Sequence, residues 1–163
     1  MTRDPWEGVA PDGTIVTGAA RTRVPAAFEP VLAAVLEAVR PTGPCSVYVY
    51  GSVACGQAVV GRSDLDLLTV GLDRRVAADL GAGLSARFRG LVRGVEFSAA
   101  APDDFAGEGD REYGNRVFLR HYGVHLSGPD PGAGWPACPA DARAARGQQL
   151  LTCWASLALS RML

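Results

Sequence analysis

Lysine is absent from this chain: all sixteen basic residues are arginine. That excludes a catalytic lysine and the lysine of a Walker-type phosphate loop. Histidine is nearly as scarce. His121 and His125 stand four apart, but Gly123 interrupts the helix that would align them, so packing or hydrogen bonding is expected of them rather than metal ligation. The four cysteines, Cys45, Cys55, Cys138 and Cys153, form no C-x-x-C pair and no His/Cys cluster at zinc spacing. A disulfide-rich secreted domain is therefore not expected, and Cys45 and Cys153 read as small buried hydrophobes. The N-terminal stretch has no apolar core of a signal peptide. The longest apolar stretch, residues 150–159, is too short for a bilayer and is interrupted by Thr152 and Ser156. A net charge of −1 offers no broad basic surface for nucleic acid. The expectation is a cytoplasmic protein with no membrane and no nucleic-acid partner.

What is present suits one domain. A chain of 163 residues, 48% apolar, is long enough to bury a core. Residues 1–24, rich in Pro, Gly and Thr, read as a loose lead-in with an extended piece at 14–17. Phe28, Val31, Leu32, Val35, Leu36 and Val39 recur at helical spacing and predict a helix over 25–40, ended by Pro41. Strands are expected at 46–50, 64–70 and 92–100, with a short one at 124–126. A second helix should run from an Asp73 cap to about residue 89, weakened by Gly81 and Gly83. A third is expected over 111–122, and a last one from Asp141 onward, after a Pro/Gly linker. Arg74, Arg75, Arg87, Arg89 and Arg93 read as a solvated face, and Asp103 with Asp104 as a helix start. The fold class is α+β: a small mixed β-sheet flanked by helices. The apolar finish LLTCWASLALSRML is expected to pack on the domain, to form a homodimer face, or to lead into a further helical domain.

The chemistry concentrates in residues 47–70, VYVYGSVACGQAVVGRSDLDLLTV. In an extended chain, alternate side chains share a face, so Asp64 and Asp66 project together while Leu65 and Leu67 turn into the core. Two carboxylates that close call for a cation, and hard oxygen ligands suit magnesium. A phosphate cradle just upstream would complete a site, and Gly51-Ser52 is the candidate. Arg62, beside the second strand, is a candidate phosphate contact.

The pattern YGSVACG…GRSDLDLL resembles the signature of the DNA polymerase beta-type nucleotidyltransferase superfamily, in the form found in stand-alone bacterial and aminoglycoside nucleotidyltransferases. FLRHYGVHLSGPDP also resembles a segment of these enzymes, and together the likeness spans 25–131. The resemblance implies the nucleotidyltransferase fold. It implies that the Gly51-Ser52 turn holds the phosphates of ATP or another nucleoside triphosphate, with Arg62 and Ser63 as further candidate nucleotide contacts. It also implies that Asp64 and Asp66 carry a two-metal magnesium site, with Glu96 of GVEFSAA as the third carboxylate and acceptor of a hydroxyl proton. Two features depart from the pattern. Cys55 stands where many members have the arginine of GSxARG, and residues 132–163 provide only a linker and one helix where aminoglycoside-modifying members have a helical domain. The expected function is transfer of a nucleoside monophosphate, AMP from ATP, to a hydroxyl of a small molecule such as an aminoglycoside. The alternatives are a minimal antitoxin-type enzyme that adenylylates a partner protein, and a non-catalytic nucleotide-binding module of the same fold.

Overall fold

The computed structural model describes residues 4–144. A four-stranded mixed sheet forms its centre, built from β3 (Ser46–Tyr50), β4 (Leu65–Val70), β5 (Val95–Ala100) and β6 (Val124–Ser127). In space the order is β5-β4-β3-β6, with β3 antiparallel to both neighbours and β4 parallel to β5. Helices α1 (Glu29–Val39) and α3 (Arg74–Arg87) contribute to the core on one face of the sheet, with Phe28, Val31, Leu32, Val35, Ala77 and Leu84 buried against Val47, Val49, Leu65 and Leu67. On the other face, Phe118 and Leu119 of α4 (Asp110–Tyr122) meet Tyr48, Leu68 and Val70. The α+β class and the small sheet flanked by helices are as expected.

Local chemistry sets the element ends. The first helix is shorter than its apolar periodicity predicts: tight 3₁₀ turns occupy residues 26–28 and 40–42, and Pro30 sits in the first α-turn, where its missing N–H costs nothing. Asp73 caps α3, its carboxylate accepting the N–H of Arg75 at 2.8 Å and of Val76 at 3.2 Å. Gly81, a weak point by helix propensity, is what lets α3 lie against β5: a Cβ there would come within 2.9 Å of the Val95 carbonyl oxygen. One turn on, the Ser85 hydroxyl donates to the Gly81 carbonyl at 2.6 Å and accepts the Val95 N–H at 2.8 Å. This pins the start of β5 immediately before Glu96. The strand starts at Val95 rather than 92 because the preceding residues turn back: the N–H groups of Leu91 and Val92 both donate to the Phe88 carbonyl.

The lead-in is docked rather than loose. Strands β1 (Gly8–Val9) and β2 (Ile15–Val16) form a small hairpin, Ile15 is buried, and Ile15 N–H donates to the Cys138 carbonyl at 2.9 Å. The Thr17 hydroxyl donates to the His121 carbonyl, and the Tyr122 hydroxyl to Glu7 at 2.7 Å. His121 packs as expected: its Nε2 accepts the Cys138 N–H at 2.9 Å, and burial pulls its pKa down to about 4. Asp104 accepts the Ala101 N–H at 2.8 Å at the start of the 102–105 turn. Asp141 caps a helical turn beginning at residue 142, and the expected final helix with Cys153 lies outside the described residues. No described helix is long and apolar enough to cross a membrane.

Candidate functional site

The site begins where β3 ends. Tyr50 is still extended, and Gly51 then turns left-handed at φ +68°, a conformation glycine adopts without strain. Space makes the same demand: a Cβ on Gly51 would lie 2.6 Å from Asp66 Oδ2. The bend thus runs directly against the Asp66 carboxylate. A single helical turn follows, α2 (Gly51–Ala54), anchored by the buried Val53 and Ala54. The Ser52 carbonyl accepts the Gln57 N–H at 2.8 Å, while no hydrogen bond engages the Ser52 hydroxyl among the described residues. The first amides of such a turn have no partner within it.

Asp66 faces Tyr50 on one neighbouring strand and Glu96 on the other, both in direct register. Register partners share a face, so the tyrosine and the two carboxylates lie in a row across three strands. Asp66 is half-buried and Glu96 exposed. Burial, then the charges of Glu96 and Asp64, push Asp66 up from 3.8 to about 6, and Arg93 only partly offsets them. Ser98, two residues beyond Glu96, places its hydroxyl 3.4 Å from that of Tyr50. Burial raises the Tyr50 phenol above its ordinary value, and the Asp66 and Glu96 charges add to the effect.

The remaining expected residues are placed differently. Asp64 lies just before β4 and is forked onto Arg93, whose Nε donates to Oδ1 at 3.0 Å and whose Nη2 donates to Oδ2. Ser63 turns its hydroxyl into its own loop, accepting the Val59 N–H at 2.9 Å. Arg62 is exposed and makes no ion pair among the described residues. Cys55 is buried, its thiol donating to the Ser52 carbonyl at 3.7 Å, and burial raises its pKa. It packs the turn and supplies no charge to a phosphate. Sequence reasoning passed over three residues here. Tyr50 and Ser98 were legible in principle as strand positions two apart from core residues. Arg93, grouped with a solvated arginine face, is not on that helix at all, and finding it requires the β4–β5 register.

Asp66 and Glu96 fit a divalent cation by donor chemistry: hard oxygens, in register, with negative potential at Asp66 that Arg93 only partly offsets. The full ligand set is not assembled. Among the described residues no three His, Cys, Asp or Glu side chains converge as a metal site, and Asp64 is occupied by Arg93.

No family model matches the chain, and no curated protein does. A solved structure of a toxin–antitoxin with AMP-PNP is similar at a TM-score of 0.42 and 14% identity, over 78% of this chain and 89% of that one. A likeness that distant does not speak for function.

Proposed function

We propose that the chain is a magnesium-dependent nucleotidyltransferase that moves AMP from ATP to an acceptor hydroxyl. The observation that carries this reading is the contact of the Gly51 bend with Asp66, itself in register with Glu96. A bend with free amides beside paired carboxylates brings an anion cradle and cation ligands to one point. Asp66 and Glu96, joined by Asp64, would hold the cation, which when bound supplies charge neutralisation along the triphosphate. The amides of Gly51 and Ser52 and the Ser52 hydroxyl hold the terminal phosphates. Arg62, exposed and without an ion pair among the described residues, is a further contact for the same anion. Glu96, the exposed carboxylate, takes the acceptor's proton as its oxygen bonds to the α-phosphorus and the bond to pyrophosphate breaks.

The test begins with thermal shift against each nucleoside triphosphate, with and without Mg²⁺, since a ligand of the folded state raises its midpoint by mass action. A rise that needs both nucleotide and Mg²⁺ supports the reading, and no rise with any combination contradicts it. Labelled ATP then reports transfer, which the wild type shows and Asp66→Asn lacks. Its aminoglycoside and cell-lysate arms separate a small-molecule acceptor from a protein one.

A further inference from the structure

The Arg93–Asp64 pair is lopsided. The Asp64 side chain is 15% exposed and that of Arg93 is 71% exposed. With its guanidinium largely in solvent, Arg93 can be exchanged for another partner of the carboxylate without emptying a packed site. The pair is not needed to join the two chain segments, because backbone hydrogen bonds already do so: Gly61 N–H to the Leu91 carbonyl, Arg93 N–H to the Ser63 carbonyl, and Leu65 N–H to the Gly94 carbonyl. Finally, Asp64 is not the only carboxylate acting on this guanidinium, since Glu96 and Asp66 attract it as well.

We propose that Arg93 is a resident counter-cation of the carboxylate cluster, which a divalent cation must displace from Asp64 before the third ligand becomes available. This rests on the reading of Asp64, Asp66 and Glu96 as cation ligands. The Arg93 guanidinium and the incoming cation compete for the same oxygens, so the fraction of molecules with Asp64 released scales the apparent cation affinity. By reciprocity, a bound cation loosens Arg93 to the same degree. The ion pair thereby spares the cluster its own repulsion in the absence of ligand and sets a threshold for filling the site.

The test uses the full chain and two readouts that need no turnover. Titration calorimetry with Mn²⁺ compares wild type, Arg93→Gln and Arg93→Lys. Arg93→Gln is expected to bind the cation roughly fivefold more tightly, the gain from deleting a competing pair. Arg93→Lys separates displacement from simple charge repulsion: it keeps the charge but loses the fork, so it should also bind more tightly than wild type. In parallel, the Nε–H resonance of Arg93 is followed by NMR as Mg²⁺ is added, and it should move as the Asp64 bond is lost. Equal affinity in wild type and Arg93→Gln, with an unmoved Nε–H signal, overturns the displacement while leaving the cation site standing. Tighter binding by Arg93→Gln but wild-type affinity in Arg93→Lys overturns it too, in favour of charge alone. Absence of cation binding in all three proteins removes the site reading, and this inference with it.

Discussion

Asp66 and the leucines that flank it belong to one strand and follow opposite rules. Leu65 and Leu67 are fully buried against the α1/α3 core, and Thr69 on the same face is also buried, its hydroxyl donating to the Ser98 carbonyl at 3.4 Å. One residue out of phase, Asp66 faces Glu96 and the Gly51 bend, in a position where its ionised form is disfavoured. The buried leucines stabilise the strand and fix its register. Asp66, at the open end of the face on which Leu68 and Val70 are also buried, gives up part of that stability to hold a charge.

Substitutions at Leu67 and at Asp66 should therefore move stability in opposite directions. Leu67→Ala should cost about 3 kcal/mol by denaturant unfolding, the usual penalty for emptying a buried leucine site. Asp66→Asn should raise stability at pH 7.5 by on the order of 2 kcal/mol while abolishing transfer. Between 3.8 and about 6 the folded protein retains on Asp66 a proton that the unfolded chain has released. Wild-type stability should accordingly fall as pH rises through that window, and Asp66→Asn should lose that fall. If Asp66→Asn is destabilising instead, the two positions are not different in kind.

Smaller effects refine the contrast. Gly51→Ala places a Cβ against Asp66 Oδ2 at a backbone angle of +68°, and should cost about 1–2 kcal/mol. The variant should also lose the nucleotide-dependent thermal shift, and retention of the full shift would detach the bend from the site. Glu96→Gln, at an exposed edge-strand position, should change stability by no more than about 0.5 kcal/mol. It should nonetheless bring the Asp66 titration back toward the ordinary carboxylate range, because one of the charges raising it is gone.

Much of this was legible in the residues. Alternation placed Asp66 opposite the leucines, Pro and Gly marked the turns, and the Asp73 cap and the 110–122 helix emerged close to their predicted ends. The rest depends on contacts between distant segments. Gly81 looks like a defect in a helix until β5 lies against it. Residues 4–24 carry little apolar periodicity, yet they dock through single side chains onto the α4 C-terminus and through a backbone hydrogen bond onto residue 138. Arg93 is ordinary among sixteen arginines, and only the parallel register of β4 and β5 brings it to Asp64.

On the proposed reading, Asp66 sits in an acidic cluster that Arg93 neutralises only in part and a divalent cation completes. The carboxyl titration of Asp66, followed by NMR with and without Mg²⁺, tests it most directly. A midpoint of about 6 is expected without the cation, and a clear fall once Mg²⁺ is present. A midpoint in the ordinary aspartate range that Mg²⁺ leaves unmoved would contradict it.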